Sequence, residues 1–374
     1  MPDWAAASTE QLTDREYQDY ILQGVSRTFA LTIPQLPDSL GTAVSNAYLL
    51  CRITDTIEDE PALSPAQKRY FSDQFVKVVN GEFAAEQFAR ELHPLLSDST
   101  LEAERDLVEH TARVIRLTHG FNVRQRAAMA RCVDIMANGM ARFQAQIDPA
   151  GLANIEELNQ YCYYVAGVVG EMLTDLFCEY SDEIAQHRDT LQELAVSFGQ
   201  GLQMTNILKD VWEDRKRGAC WLPKDIFRQY GFDLGMLSES NHDEAFAIAL
   251  EKLIAIAHAH LQNALCYTLL IPSEEKGIRR FCFWALGMAL LTLRKINKHR
   301  DYTSGNSVKI SRKSVKATIF ATDLVVGGDL RPRLLFRLTA AGLPHLSGTA
   351  GGLPSYIPPR EITYETGTDA RRAA

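Results

Sequence analysis

Apolar residues recur at helical spacing through almost the whole of this chain, and alternating strand patterns are scarce. A period near 3.6 residues, sustained in this way, restricts the chain to helices packed on helices. The pattern predicts helices over about 14–24, 38–57, 65–79, 101–118, 122–146, 154–180, 188–215, 241–269 and 275–298. Ser64-Pro65 marks one start, and Asn154 with Glu157 three residues later reads as a capping box. Pro61, Gly81, Pro94, Gly120, Pro149-Gly151 and Gly218 mark breaks, and 221–232 reads as a loop with a short helix. No repeat of roughly 20–50 residues is seen. The expectation is an all-α domain over 15–335, after a flexible N-terminus (1–14) and before a mobile tail (336–374) rich in Gly and Pro.

Two acidic clusters interrupt this apolar pattern. They are Asp55-Thr56-Ile57-Glu58-Asp59-Glu60 and Asp210-Val211-Trp212-Glu213-Asp214. Each holds two aspartates four residues apart, which on a helix share a face one turn from each other. Like charges so placed repel, and a hard divalent cation such as Mg²⁺ takes oxygen ligands of this kind. Carboxylates at a helix C-terminus also oppose the macrodipole, which makes a purely structural role for the first cluster uncomfortable. The second belongs to a polar stripe of Gln203, Asn206, Asp210 and Asp214 at spacing 3, 4, 4, with apolar Leu202, Ile207, Leu208 and Val211 around it. Such a stripe suits a ligand-lined cavity, the alternative being a solvated face with ordinary salt bridges. Two such clusters suggest a site that holds a diphosphate through several Mg²⁺ ions.

Further segments carry candidate chemistry. Tyr161-Cys162-Tyr163-Tyr164-Val165-Ala166-Gly167-Val168-Val169-Gly170 puts Tyr161 and Tyr164 on one helix face with Gly167 and Gly170 near it. This is either an aromatic wall around a cationic intermediate or a tight helix crossing. Arg52 lies three residues before Asp55 and can pair with it or reach a phosphate. Ser26-Arg27-Thr28-Phe29 and the basic run Lys309 to Lys316 offer hydroxyls and cations to phosphate, or are solvated surface.

Net charge of −8 and a pI near 5.7 argue against nucleic acid as a partner. The seven cysteines form no C-x-x-C pair and read as reduced core residues of a cytoplasmic protein. His258 and His260 read as structural. No apolar run approaches the roughly 20 residues that span a bilayer.

Taken in chain order, these segments resemble the squalene/phytoene synthase family. Ser26-Arg27-Thr28-Phe29 is similar to its S-R-[ST]-F, and Asp55-Thr56-Ile57-Glu58-Asp59 to its D-T-x-E-D. Tyr161 to Gly167 is similar to Y-C-x-Y-V-A-G, and Gln203 to Asp214 to Q-x-T-N-I-x-x-D-x-x-E-D. The match spans roughly 20 to 320, and its wording leans toward the squalene-forming members. The resemblance implies a single helical bundle of the class I isoprenoid synthase type with a central apolar cavity. It implies head-to-head condensation of two farnesyl diphosphates through presqualene diphosphate, then NADPH-dependent reduction to squalene.

By resemblance, Asp55, Asp59, Asp210 and Asp214 hold Mg²⁺. Ser26, Arg27, Arg52, Tyr164, Gln203, Asn206 and Lys209 bind substrate, Tyr161 assists proton removal, and Lys309, Arg312 and Lys313 bind NADPH. Phe281-Cys282 keeps the start of the family's late helix, but the proline and glutamine of many members are missing, and a serine interrupts the basic K-I-R-K segment. A non-reductive product is therefore the alternative: presqualene diphosphate, dehydrosqualene or phytoene. A non-catalytic assembly or lipid-binding member would be expected to have lost aspartates, and all four remain. The expected enzyme is a cytoplasmic monomer of bacterial type, without the eukaryotic membrane anchor but touching the membrane at its periphery to release product.

Overall fold

The computed structural model describes residues 11–26, 28–144, 147–240 and 242–346. Helices dominate and no β-strand occurs among the described residues, one isolated bridge between Leu152 and Pro223 apart. The all-α expectation is borne out. The chain divides after Gln144, Thr174 and Tyr180 into two compact units.

The first unit is built on the helix Asp38–Asp59, which buries Leu40, Val44, Leu50, Ile53 and Ile57. Pro65–Asn80 and Val123–Gln144 pack on it and on each other. Capping sets the helix starts. Thr13 and Glu16 form a reciprocal capping box at Asp14–Val25, and Ser64 with Gln67 does so at Pro65–Asn80. Gly81, at φ 77°, closes the latter in the left-handed conformation that favours glycine. The stretch expected as one helix over 101–118 is two, Glu102–Glu109 and Thr111–Gly120. The break falls at His110, whose ring Nδ1 turns back to Asp106 at 2.6 Å from its carboxylate, with no Gly or Pro to announce it. Ala85–Leu92 is a helix that the sequence pattern left unmarked.

In the second unit, Arg188–Lys216 packs along Glu244–Leu270. The latter is buried at every residue from Leu253 to Leu265, most of them apolar, as an enclosed stretch of helix requires. It is long and apolar enough to cross a membrane, but 83% of its apolar window is buried inside the protein. His258 and His260 lie inside this core, His260 Nδ1 at 2.9 Å from Ser197 Oγ. Lys276–Lys298 packs on the same helix and carries Arg312–Val325 and Leu330–Ala340, neither of them marked beforehand. The folded chain thus runs past the expected boundary at 335. Phe336, Ala340 and Leu343 are buried, and His258 Nδ1 lies 3.0 Å from the Pro344 carbonyl. The capping box expected at Asn154 is half formed: Asn154 accepts the Glu157 N–H, while Glu157 accepts that of Ala153.

Candidate functional site

The first acidic cluster occupies the last turns of Asp38–Asp59. Arg52 is oriented from behind, donating to the Tyr48 hydroxyl at 2.8 Å while Tyr48 donates to the Val25 carbonyl. Its guanidinium then lies 3.9 Å from Asp55 Oδ2 and 3.6 Å from Glu104 Oε1. Glu104 comes from Glu102–Glu109, far away in sequence, and no spacing pattern could have exposed it. Asp55 and Glu58 are half-buried, Asp59 exposed. Gln144 donates to Glu58 at 2.9 Å, and Lys68 reaches the Glu58 carbonyl.

Here the carboxylates Asp55, Glu58, Asp59 and Glu104 outnumber the cations Arg52 and Lys68. Burial pushes the Asp55 carboxyl up to about 7; Arg52 works against this, and the charges of Asp59 and Glu104 add to it. Burial and the Asp59 charge raise Glu58 to about 8. Glu60, though part of the acidic run, is spent on the fold: it accepts from the N–H groups of Ala62 and Ser97 and from the Thr100 hydroxyl. Ser26 likewise uses its hydroxyl locally, accepting the Phe29 N–H at 2.9 Å. Arg27 lies outside the described residues.

The second cluster lies in the last turns of Arg188–Lys216. Along the expected stripe, Gln203 and Asp210 are half-buried, Asn206 is exposed and Asp214 is buried. Lys209 reaches across to it, with Nζ 3.2 Å from Asn206 Oδ1 and 3.1 Å from Asp210 Oδ2. Asp214 Oδ1 takes a 2.5 Å bond from Arg217, a partner that sequence reading did not single out. Glu213, beside Asp210, is committed to the fold. Its two carboxylate oxygens accept the Gly305 N–H, tying the segment 302–305 to this helix. Trp212 Nε1 donates to the Tyr302 carbonyl at 2.6 Å, and the Tyr302 hydroxyl donates to the Leu208 carbonyl.

The tyrosine segment departs from a plain helix. Ile155–Cys162 runs into a π-helical turn, Tyr163–Gly167, before Val168–Tyr180 continues. Such turns rotate successive residues by less than an α-helix does, and they concentrate at functional sites. Tyr161 and Tyr164 are therefore not related by an uninterrupted α-helical face. Tyr161 is buried and stacks on Trp221 with ring centroids 3.9 Å apart and planes 6° apart. Tyr164 is half-buried, and the buried Tyr163 donates to Glu171 at 3.3 Å. The glycines settle as a tight crossing. A Cβ on Gly170 would stand 2.4 Å from the Ala195 carbonyl oxygen, and one on Gly199 2.2 Å from that of Ala166. Lys309, Arg312 and Lys313 are exposed around the start of Arg312–Val325, which Ser311 caps.

Among the described residues no three His, Cys, Asp or Glu side chains form a ready metal cage. Mg²⁺ does not require one, since it is usually held by one or two carboxylates together with phosphate oxygens and water. Crowded carboxylates whose charge the protein under-compensates, as around Asp55, suit that demand.

The profile of the family described as squalene/phytoene synthase matches residues 22–314. A squalene synthase of Eremothecium gossypii is 30% identical over 300 residues, covering 78% of this chain and 64% of its own. One from Schizosaccharomyces pombe is 30% identical over 295 residues, covering 78% and 61%. The chain thus spans less than two thirds of the length of these curated relatives. Among solved structures, a complex of TcSQS with the ligand BPH1237 superposes with a TM-score of 0.69 at 22% identity, covering 93% of this chain and 96% of that one. A dehydrosqualene synthase with ligand gives 0.59 at 22%, covering 83% and 95%. These two likenesses establish the fold.

Proposed function

Because the chain belongs to the squalene/phytoene synthase family, we propose that it is a Mg²⁺-dependent prenyltransferase that joins two farnesyl diphosphates head to head and, with NADPH, yields squalene. The observation that carries this reading is the under-neutralised carboxylate cluster around Asp55, kept where the family's first aspartate motif falls. Asp55 and Asp59 on one helix, and Asp210 and Asp214 on the other, would hold Mg²⁺. Bound there, Mg²⁺ would stabilise the charge that develops on the departing diphosphate.

The chain's own groups do the rest. Arg52, held by Tyr48, and Lys209, held between Asn206 and Asp210, offer cations to diphosphate oxygens. Ser26 and Arg27 extend the phosphate contacts, while Gln203, Asn206 and Tyr164 line the substrate. Tyr161, its ring stacked on Trp221, would assist removal of the proton from the condensing carbon skeleton. Lys309, Arg312 and Lys313 carry the charge that a phosphorylated dinucleotide seeks, and NADPH would supply hydride. All seven cysteines are free thiols, which suits a reducing cytoplasm.

A second reading, arrest before reduction, is favoured by the late helix, where Phe281 and Cys282 are present but the family's proline and glutamine are not. Incubation with farnesyl diphosphate and Mg²⁺, with and without NADPH, separates the two. Squalene formed only with NADPH supports the first reading, and dehydrosqualene under both conditions the second. No diphosphate release under either condition overturns both.

A further inference from the structure

The helices Arg312–Val325 and Leu330–Ala340 present an apolar surface that nothing in the catalytic reading uses. Single exposed apolar residues need no explanation, but contiguous ones do. Phe320 and Leu324 are 68% and 61% exposed, and Leu330, Leu334 and Leu338 are 82%, 59% and 63% exposed. Each set follows a spacing of four, so each forms one stripe along its helix. On the first helix Lys316 stands on the same stripe, so a cation lies toward one end and Phe and Leu toward the other. The two helices border, with Lys276–Lys298, an open apolar pocket of about 300 Å³ lined by Leu290, Ala317, Ala321, Leu335 and Phe336 among others. Phe320 and Leu338 stand three residues from Ala317 and Leu335, so the exposed stripes border the cavity lining on both helices.

Charge identifies the occupant. Leaving aside the three cations read as binding NADPH, residues 316 to 337 carry four Lys or Arg (Lys316, Arg331, Arg333 and Arg337) against two acids, Asp323 and Asp329, within a protein whose net charge is −8. Both acids are already engaged, Asp323 by Arg280 at 2.8 Å and Asp329 by Arg279 at 2.9 Å. Two copies of so basic a face would repel each other across a two-fold interface. Exposed Phe and Leu beside Lys and Arg are instead the composition of helices that lie in a membrane interface. There the apolar side enters the acyl boundary and the cations meet anionic headgroups.

We propose that these two helices dock the protein on anionic lipid bilayers, with Phe320, Leu324, Leu334 and Leu338 entering the interface and Arg331 and Arg337 contacting headgroups. This specifies the peripheral membrane contact expected of the chain. It uses no residue assigned to catalysis, and lipid binding is measured without substrate, so either reading can fail alone.

The test is flotation of the full chain with vesicles of phosphatidylcholine alone and of phosphatidylcholine mixed with phosphatidylglycerol. The parent protein is expected to float with the mixed vesicles and to be released by salt. The pair Leu334→Ser and Leu338→Ser should bind at least about tenfold more weakly. Arg331→Gln with Arg337→Gln should remove the preference for phosphatidylglycerol. Unchanged circular dichroism and melting temperature identify folded variants, and any of these substitutions that unfolds is replaced by Leu324→Ser. Failure to float with either vesicle, or equal flotation of the leucine variants, overturns the proposal. So does a concentration-dependent dimer that the same leucine substitutions dissolve.

Discussion

Glu213 holds the backbone N–H of Gly305 with both carboxylate oxygens, at 3.0 and 3.2 Å, one residue before Asp214 on the second acidic helix. With the Trp212 and Tyr302 bonds, this straps the segment 302–305 against the helix surface that carries Lys209 and Asp210. The approach is close enough to require glycine. A Cβ at 305 would lie 2.9 Å from the Lys209 carbonyl oxygen and from Glu213 Oε2, and 3.2 Å from Asp210 Oδ1. Gly305→Ala is therefore expected to push the strap outward and displace Asp210. Diphosphate release from farnesyl diphosphate should fall by about tenfold or more, equivalent to about 1.4 kcal/mol in the barrier. Wild-type release rates at saturating Mg²⁺ would show that the strap does not position Asp210.

Asp55 gives a prediction in which stability and activity move in opposite directions. Its carboxyl is raised to about 7, above the ordinary 3.8, so the folded state binds a proton more readily than the unfolded one. The charged form therefore destabilises the metal-free protein above pH 7, and this cost disappears as pH falls toward 4. Asp55→Asn should abolish turnover while stabilising the metal-free protein at pH 8 by on the order of 1–3 kcal/mol. Urea unfolding without Mg²⁺ measures the second effect. A variant less stable than its parent at pH 8 would mean that the site is not charge-strained, and near-normal turnover would remove Asp55 from the mechanism.

These two residues also mark what the sequence could reveal. Asp55 and Asp210 were legible because the helix period is local: spacing of four puts partners on one face whatever the rest of the chain does. Gly305 was not, because its role depends on a loop meeting a helix about ninety residues away, and no periodicity records that meeting. Glu104 was missed for the same reason, becoming a partner of Arg52 only through folding, whereas Arg217 stands only three residues from Asp214 and its pairing was open to the same local spacing argument. The π-helical turn at Tyr163–Gly167 escaped because extra residues in a helix leave no compositional mark. Gly170 shows the converse. Its small size signalled closeness, and of the two readings that the sequence left open the neighbour is the backbone of another helix, at Ala195.

That crossing can be tested directly. A Cβ on Gly199 would lie 2.2 Å from the Ala166 carbonyl oxygen and 2.8 Å from the Gly167 Cα, contacts with backbone that no rotamer change relieves. Gly199→Ala should raise helix propensity by about 1 kcal/mol if isolated. In the folded protein, overpacking reverses that gain and leaves a net loss of about 1–3 kcal/mol. Thermal melts that place Gly199→Ala at or above the parent would mean that the helices separate without cost.

His260 contributes to the response to acid. It is fully buried, its Nδ1 rests 2.9 Å from Ser197 Oγ, and burial drives its pKa down to about 3 from the ordinary 6.5. Between pH 6.5 and 3 the unfolded chain binds a proton at this position that the folded chain refuses. Stability from this group is complete above pH 6.5 and is lost on acidification by about 1.4 kcal/mol per pH unit. Asp55 and Glu58, with raised carboxyl pKa values, act in the opposite sense over part of this range, so the parent's curve alone is ambiguous. The difference between parent and His260→Gln isolates the histidine, because those carboxyls are common to both. That difference should shrink by about 2 kcal/mol on going from pH 7.5 to pH 5, measured by urea unfolding at each pH. Parallel stability curves for the two proteins would mean that His260 takes up its proton inside the fold, and that Ser197 and its neighbours accommodate the charge.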